Sequence, residues 1–294
     1  MMESEYPLVD TSWLQSHLND PNLVVFDSTV YLHFPNGFDA PYVLQSGRDE
    51  WMSSHIPGAR FVDLIDEISD PAMPEAFTMI PAKQFCDRMN FYGVNDESTV
   101  VVYSKASLMW ATRVWWMLRS VGFDKCYVLD GGFKKWEAEN RPTSNTPPDV
   151  NATKGVLTPR PRPSLWATKD EVMSAIGSLT VCTINALPSD VYTGDRDNYG
   201  RRGHIPGSIS VPYNTLIDPE AKTFLPKEAL RQATETTGAY DKERVICYCG
   251  GGISATMDAL ALYVSGHKNI AVYDGSMTEW AKDEDAPLVL GDKP

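Results

Sequence analysis

The stretch VVVYS at residues 100–104 is an apolar, β-branched run of the length expected for a buried strand. Residues 111–121, which follow it, carry Trp, Val, Met and Leu at the spacing of a helix that packs on a sheet. Residues 127–129 are another strand-length run, and an Asp-Gly-Gly turn closes it. Strands that alternate with helices in this way predict an α/β fold with parallel sheets covered on both faces.

The opening stretch recurs in type as VICYC at residues 245–249, an offset of 145 residues. HIPGA at residues 55–59 returns as HIPGS at residues 204–208, and YVLDG at residues 127–131 returns as AVYDG at residues 271–275. Solenoid repeats have periods of only about 20–50 residues. Three segments in the same order at nearly constant offset therefore indicate duplication of a whole domain.

The length of 294 residues is enough for two domains of about 100–200 residues each. We expect a first domain over residues 1–142, a linker over residues 143–163 and a second domain over residues 164–294. The linker is rich in proline, serine, threonine and asparagine and has little apolar periodicity. The other predicted elements are strands at residues 23–26, 99–103, 181–184, 245–248 and 270–273 and a helix at residues 254–264.

The charge balance limits the partners of the chain. The formal net charge is −13, and a strongly acidic protein is a poor candidate for binding nucleic acid or an anionic membrane by bulk charge. No apolar run approaches the roughly 20 residues of a membrane span. The acidic N-terminus lacks the apolar core that a secretory signal requires. Five cysteines are too few, and odd in number, for a disulfide framework. We therefore expect a cytoplasmic protein with free thiols.

Cys249 is the strongest candidate for a catalytic residue. It ends a predicted buried strand, and Gly250, Gly251, Gly252, Ile253 and Ser254 lead from it into a helix. Glycines remove the side chains that keep backbone amides away from a bound group, and a helix N-terminus adds positive potential. Both features favour a thiolate over a thiol. The segment therefore predicts a nucleophilic cysteine in an anion-binding loop.

The other four cysteines are interpreted as structural, since cysteine is commonly buried and inert. Cys86, Cys126 and Cys182 lie in predicted helices or strands. Cys247 should share one side of its strand with Cys249 at greater depth, where oxidation could join the two in a disulfide.

These segments together resemble the tandem-domain rhodaneses, the thiosulfate and 3-mercaptopyruvate sulfurtransferases. The HIPG repeat, the Asp-Gly…Trp segment near the end of each half and the cysteine-initiated loop carry the resemblance, from about Leu23 to Trp280. It implies two rhodanese-like domains, each a mainly parallel sheet flanked by helices. It also implies a catalytic second domain and a first domain that has lost its cysteine, with Ser104 in the corresponding place.

The resemblance implies sulfur transfer by double displacement. The Cys249 thiolate would take the outer sulfur of 3-mercaptopyruvate or thiosulfate, hold it as a persulfide, and pass it to a thiophilic acceptor such as cyanide or a thiol. The loop amides would stabilise the persulfide anion. No cofactor is implied, and relatives suggest a monomer whose two domains pack as a pseudo-dimer.

The substrate-binding residues depart from the family pattern. Relatives usually carry an Asp-Ala-Arg segment and a second arginine, where this chain has Asn185-Ala186-Leu187 and Val191. A small anionic donor still needs a cation, and Arg196, Arg201 and Arg202 are the available ones near the second HIPG segment. Asp63 matches an aspartate that relatives place near the site, whereas the histidine that accompanies it has no counterpart in residues 73–80.

His55 and His204 each begin a HIPG segment, and one of them lies in the half without the cysteine. We therefore interpret both as structural residues of a turn, since buried histidines normally serve as satisfied hydrogen-bonding groups.

Three other functions can be compared with the residues around Cys249. A related phosphatase would need Cys-x5-Arg to clamp phosphate, and the sixth residue after Cys249 is Ala255. A zinc site is poorly supported, because Cys247-x-Cys249 lacks both the usual spacing and a second ligand pair. A persulfide carrier without turnover is the serious alternative, since the family's substrate arginines are missing.

Overall fold

Two parallel five-stranded sheets form the centres of the two halves of the chain. The computed structural model describes residues 6–35, 43–149 and 154–294. The elements of the first half are β1 (Leu8–Val9), α1 (Thr11–His17), β2 (Leu23–Asp27), β3 (Val30–His33), β4 (Val43–Ser46), α2 (Arg48–Ser53), β5 (Arg60–Phe61), α3 (Ala82–Phe91), β6 (Thr99–Tyr103), α4 (Leu108–Ser120), β7 (Cys126–Leu129) and α5 (Gly132–Ala138).

The second half repeats this succession of strands and helices. Its elements are β8 (Trp166–Ala167), α6 (Lys169–Ala175), β9 (Val181–Asn185), α7 (Ser189–Thr193), β10 (Ile209–Ser210), α8 (Lys227–Glu235), β11 (Arg244–Tyr248), α9 (Ala255–Val264), β12 (Ile270–Tyr273) and α10 (Ser276–Trp280), with short 3-10 helices at Pro163–Leu165, Tyr213–Leu216 and Ala239–Asp241.

The two sheets have the same strand order. The first runs β1-β7-β6-β2-β5 and the second β8-β12-β11-β9-β10, and every neighbouring pair in both is parallel. This confirms the predicted fold class of two rhodanese-like α/β domains with mainly parallel sheets flanked by helices. The antiparallel hairpin of β3 and β4 has no counterpart in the second half and was not predicted.

The predicted helix at residues 111–121 begins three residues earlier, at Leu108, because the side chain of Ser107 caps it by accepting from the backbone N–H of Met109. The predicted linker is tied to the first half in its described part. The backbone N–H groups of Gly155 and Arg160 donate to the carbonyls of Asn90 and Val121. The linker limits 143 and 163 stay a prediction, and residues 150–153 lie outside the described part.

Helices α4 and α9 form the contact between the two halves. Both are apolar on nearly every face, which is typical of a helix buried on all sides. The hydroxyls of Thr112 and Thr256, which occupy equivalent positions of the repeat, share a hydrogen bond of 2.7 Å. The two halves are therefore related by a pseudo-twofold axis that passes between these threonines.

Backbone groups cross the same interface in a symmetric way. Asp130 Oδ1 accepts from the N–H of Phe224 at 2.7 Å, and its counterpart Asp274 Oδ2 accepts from the N–H of Met79 at 3.0 Å. None of the helices in the described residues is long and apolar enough to cross a membrane.

Candidate active site

Cys249 lies immediately after β11, the central strand of the second sheet, and α9 begins six residues later. Ligands of open parallel sheets bind beyond the carboxyl ends of strands. The side chain is nearly buried, with 2% of the residue exposed, and it lines a cavity of about 240 Å³. The structure thus places the predicted nucleophile at the bottom of a cavity.

Ser276 holds the loop from behind. Its hydroxyl accepts from the backbone N–H of Cys249 at 3.1 Å and from that of Gly252 at 3.2 Å, and it donates to the carbonyl of Tyr273 at 2.6 Å. Ser276 adopts a left-handed φ of 48°, which is uncommon for a residue with a side chain. Such a conformation persists only where the surroundings impose it, so the turn after β12 fixes the loop after β11.

Gly252 does not belong to the cavity wall, and its place in a persulfide cradle stays a prediction. Its N–H is occupied by Ser276, and it does not line the cavity. Its φ is 70°, and a Cβ there would come within 2.6 Å of Asp274 Oδ1. The requirement for glycine at this position is therefore conformational.

The remaining predicted cradle residues, Gly250, Gly251, Ile253 and Ser254, do line the cavity. None of the described residues accepts a hydrogen bond from their backbone N–H groups. Four unsatisfied donors beside a thiol form a site that favours an anion, since a buried donor without a partner is costly. That these amides hold a persulfide stays a prediction.

Aromatic and aliphatic side chains from both halves form the cavity wall, and sequence reasoning missed this. The first half supplies about half of this wall. Leu32 and Phe34 extend from the unpredicted β3–β4 hairpin, and Phe77 packs on Trp110 with 5.4 Å between ring centroids. The members of the wall are Leu32, Phe34, Phe77, Met109, Trp110, Leu187, Pro188, Tyr199, Tyr213 and Ile253.

Of the three predicted arginines, only Arg196 lines the cavity. Its Nη2 lies 3.1 Å from Asp190 Oδ1, so the guanidinium is already paired with a carboxylate. Arg196 also acts on Tyr213: burial and the Cys249 thiol raise the pKa of the Tyr213 phenol, whereas Arg196 lowers it. Arg196, Tyr213 and Cys249 all line the cavity.

Arg201, Arg202 and Asp63 are not among the residues that line the cavity, and their role in substrate binding stays a prediction. Arg201 donates to the carbonyls of Asp283 at 2.6 Å and Ala286 at 2.9 Å, so it ties down the C-terminal segment. Arg202 is exposed.

Asp63 serves the local structure of the first half. It is 2% exposed, and its carboxylate accepts from the hydroxyl of Ser46 and from the backbone N–H groups of Ile65 and Asp66.

Sequence reasoning also missed Arg113 of α4, which is fully buried. It donates to Asp274 Oδ1 at 2.6 Å, to the carbonyl of Gly252 at 3.1 Å and to the carbonyl of Phe77 at 2.6 Å. One side chain of the first half thus holds the active-site loop, the turn behind it and a residue of the cavity wall. The sequence signal that could have indicated this role is an arginine inside a predicted helix that is otherwise mostly apolar.

The comparisons with known proteins agree with this geometry. The model of the rhodanese-like domain matches residues 10–139 and 186–283. The chain belongs to the rhodanese family. It is 32% identical to thiosulfate/3-mercaptopyruvate sulfurtransferase 2 of Arabidopsis thaliana, over 96% of this chain and 86% of that protein. It is 30% identical to the 3-mercaptopyruvate sulfurtransferase of Escherichia coli K12, over 95% of this chain and 96% of that protein.

A solved rhodanese structure supports the same assignment. The chain superposes on SseA of Escherichia coli, a 3-mercaptopyruvate sulfotransferase, with a TM-score of 0.79 and 28% identity, over 92% of this chain and 98% of that one. Tum1 of Saccharomyces cerevisiae superposes with a TM-score of 0.82 at 22% identity, which shows a shared fold. The tandem organisation and the sulfurtransferase family named from the loop motif are confirmed.

The two histidines of this rhodanese's HIPG repeats are buried, and both ring nitrogens of each lie near backbone carbonyls. His55 contacts the carbonyls of Trp51 at 2.7 Å and Thr146 at 3.3 Å. His204 contacts those of Tyr192 at 2.8 Å and Lys293 at 3.0 Å. Neither lines the cavity. These contacts agree with a structural role in both halves.

All five cysteines of this rhodanese are buried and free, and only Cys249 lines the cavity. Burial raises the pKa of Cys86 to about 11, and it also raises the pKa values of Cys126, Cys182 and Cys247. Since a thiolate is the reactive form, these four are poor nucleophiles. In the described part of the chain no group of three or more metal-ligating side chains comes together.

Proposed function

We propose that this sulfurtransferase moves a sulfane sulfur from 3-mercaptopyruvate or thiosulfate to a thiophilic acceptor, through a persulfide on Cys249. The observation that carries the proposal is a thiol at the end of a central strand that lines a cavity. Four residues with backbone N–H groups that have no acceptor among the described residues line the same cavity. Relatives that match nearly the whole chain are named for these two donors.

In the first half of the reaction the Cys249 thiolate attacks the outer sulfur of the donor. An S–S bond forms, and the donor's bond to that sulfur breaks with its electron pair. Thiosulfate then leaves as sulfite, and mercaptopyruvate leaves as the enolate of pyruvate, which takes up a proton. In the second half an acceptor thiolate or cyanide attacks the outer sulfur, and the Cys249 thiolate is released. A covalent intermediate divides one transfer into two easier steps.

The loop amides of Gly250, Gly251, Ile253 and Ser254 would stabilise the charge on the outer sulfur of the persulfide. Preorganised donors stabilise an anion without reorganisation at the moment of reaction. Ser276 supplies the preorganisation, because its hydroxyl fixes both ends of the loop's first turn.

The cavity favours 3-mercaptopyruvate over thiosulfate. Arg196 is the only formally charged side chain among the described residues that line it, and Asp190 already neutralises that charge. A dianion that enters an apolar cavity loses its hydration without gaining a matching cation. Mercaptopyruvate carries a single charge, and its desolvation therefore costs less.

A donor panel tests the proposal. Thiocyanate formation from cyanide is measured with each donor for the wild-type chain and for Cys249→Ser, with Cys86→Ser as the matched control for a buried cysteine outside the cavity. We expect turnover in the wild type and in Cys86→Ser, a higher kcat/KM for mercaptopyruvate, and no turnover in Cys249→Ser. Persulfidation of Cys249 without turnover would instead indicate a persulfide carrier, and turnover in Cys249→Ser would overturn the proposal.

We also propose that the chain acts as a monomer in a reducing compartment such as the cytoplasm. The pseudo-twofold contact between α4 and α9 already buries the face that two single domains would use to dimerise. The five thiols are free, as expected where disulfides are kept reduced.

A further inference from the structure

The wall of the Cys249 cavity is much more apolar than a small inorganic anion requires. Five aromatic rings line it, those of Phe34, Phe77, Trp110, Tyr199 and Tyr213. A dianion such as thiosulfate is bound most strongly by cations that are not already paired. In this cavity the formal side-chain charge of the described residues comes from one arginine that is already paired.

Leu187 is the residue whose identity most affects the charge of the cavity. It follows β9 and lines the cavity, with 7% of the residue exposed. An arginine at this position would bring a second cation beside Cys249, whereas leucine adds apolar surface. Val191 is 3% exposed and is not among the cavity residues, so Leu187 is the position that changes the charge of the site.

The cavity combines a few polar groups with a mostly apolar wall. The polar groups are the loop amides that follow Cys249 and the side chains of Arg196, Asn198 and Ser254, together with the tyrosine hydroxyls. Phe77 and Trp110 of the first half pack on one another in the wall, and Phe77 lies close to Gly251 of the loop. A ligand that uses both kinds of group has an anionic sulfur group and an apolar body.

We propose that the preferred donor is a monoanionic sulfane-sulfur compound that carries an apolar, ring-sized body. The inference rests on the proposed sulfur transfer and adds a substrate class to it. Burial of a ring against aromatic and aliphatic walls is favourable by roughly 25 cal/mol for each Å² removed from water. Thiosulfate has no such surface to bury, and mercaptopyruvate has one methylene group.

The chemical step can be tested with organic thiosulfonates, R–SO2–S⁻, in which only R changes. The Cys249 thiolate attacks the terminal sulfur, a new S–S bond forms, and the bond between the terminal sulfur and the sulfonyl sulfur breaks. Its electron pair leaves with the sulfinate, R–SO2⁻. The persulfide anion and the sulfinate carry the two charges that the thiolate and the thiosulfonate brought.

The experiment measures the first half of the reaction alone. Without an acceptor, the gain of one sulfur atom on Cys249 is followed by mass spectrometry with methanethiosulfonate, benzenethiosulfonate, thiosulfate and mercaptopyruvate. Each rate is divided by the rate of the same donor with free 2-mercaptoethanol, which removes differences in leaving-group reactivity. We expect the normalised rate for benzenethiosulfonate to exceed that for methanethiosulfonate by about tenfold or more.

Two variants locate the preference in the cavity. Phe77→Leu should lower the ratio of the benzene to the methane donor severalfold, whereas Phe85→Leu, in the first-half core and outside the cavity, should leave it unchanged. Leu187→Arg should raise the rate with thiosulfate relative to benzenethiosulfonate by about tenfold or more, because it supplies the missing cation.

The outcomes separate the inference from the proposed function. Persulfide formation with equal normalised rates for the two organic donors, or a normalised rate for thiosulfate that exceeds both, would overturn the inference and leave sulfur transfer intact. Failure of every donor, mercaptopyruvate included, to add sulfur to Cys249 would overturn sulfur transfer itself.

Discussion

The loop after β6 and the loop after β11 occupy the same place in the two halves, yet the first begins with Ser104 and the second with the Cys249 thiol. The carbonyl of Ser104 accepts from the N–H of Phe133 at 3.1 Å, and the carbonyl of Cys249 accepts from that of Met277 at 3.0 Å. Duplicated strands, turns and helices have therefore preserved the same backbone frame in both copies.

The difference lies in which groups satisfy the loop amides. In the first loop the hydroxyl of Ser104 accepts from the N–H of Ala106 at 3.1 Å, and the hydroxyl of Thr29 accepts from that of Lys105 at 2.9 Å. The ammonium of Lys105 is held by the carbonyls of Glu50 and Ser54. Two N–H groups of the first loop are therefore satisfied by hydroxyls, one from within the loop and one from Thr29.

In the second loop one hydroxyl, that of Ser276 in the turn after β12, accepts from two N–H groups. The Ser276 hydroxyl accepts hydrogen bonds from the N–H groups of Cys249 and Gly252. The N–H groups of the loop residues that line the cavity have no acceptor among the described residues. Its counterpart in the first half is Gly132, where a Cβ would come within 2.6 Å of the carbonyl of Ser104. The two loops thus share a backbone frame and differ in the hydroxyl groups that accept from their N–H groups.

Arg113→Met should have the largest effect on stability and activity. Methionine is the residue that the second half has at the equivalent position, Met257. Removal of one partner of a buried ion pair costs about 3–5 kcal/mol of the free energy of unfolding, and here it also releases the carbonyl of Gly252. Urea unfolding measures the loss of stability. Because Arg113 positions the loop, kcat should fall more than KM changes, and the pH dependence of Cys249 alkylation by iodoacetamide should shift.

A purely structural Arg113 would leave that pH dependence unchanged among the molecules that remain folded. Arg113→Lys keeps the charge and should restore part of kcat, since it can still reach one of the acceptors.

Ser276→Ala removes the hydroxyl that supports the catalytic loop and should lower kcat by about tenfold to a hundredfold. Ser208→Ala is the matched control, because its hydroxyl is also buried and the first half has Ala59 at the equivalent position. We expect a small change in kcat for the control. Equal losses of kcat in the two variants would refute the special role of Ser276.

Asp258 is a second difference between the halves, since its counterpart is Val114. Its carboxyl is fully buried without a partner among the described residues, and burial raises its pKa well above the usual value. The folded chain therefore holds this proton more tightly than the unfolded chain does. Its unfavourable effect is absent below the unfolded pKa of about 4, and it grows as the pH rises toward the folded value.

Asp258→Val should consequently stabilise the chain at pH 7 and have much less effect at pH 4. Each unit of pKa difference is worth about 1.4 kcal/mol. Urea unfolding at pH 4, 5.5 and 7 checks the trend. A stability gain that is the same at all three pH values would show that the carboxyl is not the cause.

The smallest effect is expected at Gly251. A Cβ there would meet its nearest neighbour, Thr278 Oγ1, at 3.9 Å, so Gly251→Ser should change stability by less than about 0.5 kcal/mol. Gly252→Ser is the contrasting variant, because the positive φ and the contact with Asp274 both forbid a side chain. Similar melting temperatures for the two variants would contradict this account of the loop.

Local sequence patterns were sufficient for the duplication, most strands of the two sheets and the position of Cys249. Runs of β-branched residues and glycine turns act through near neighbours, and sequence displays them directly. The cavity wall could not be predicted, because Phe77 and Trp110 reach Cys249 only through the docking of the two halves. Arg201 lies close to His204 in sequence, but the carbonyls of the C-terminal segment hold its guanidinium. Sequence proximity does not determine where a long side chain finds its acceptors.

The central claim is that Cys249, supported by its loop, carries the transferred sulfur. The most direct measurement is rapid-quench mass spectrometry of the wild-type chain mixed with mercaptopyruvate and then with cyanide. The account predicts that the Cys249 peptide gains one sulfur atom, that the other four cysteines gain none, and that cyanide removes the sulfur at least as fast as kcat. Turnover without sulfur on Cys249, or a persulfide that cyanide removes more slowly than kcat, would contradict it.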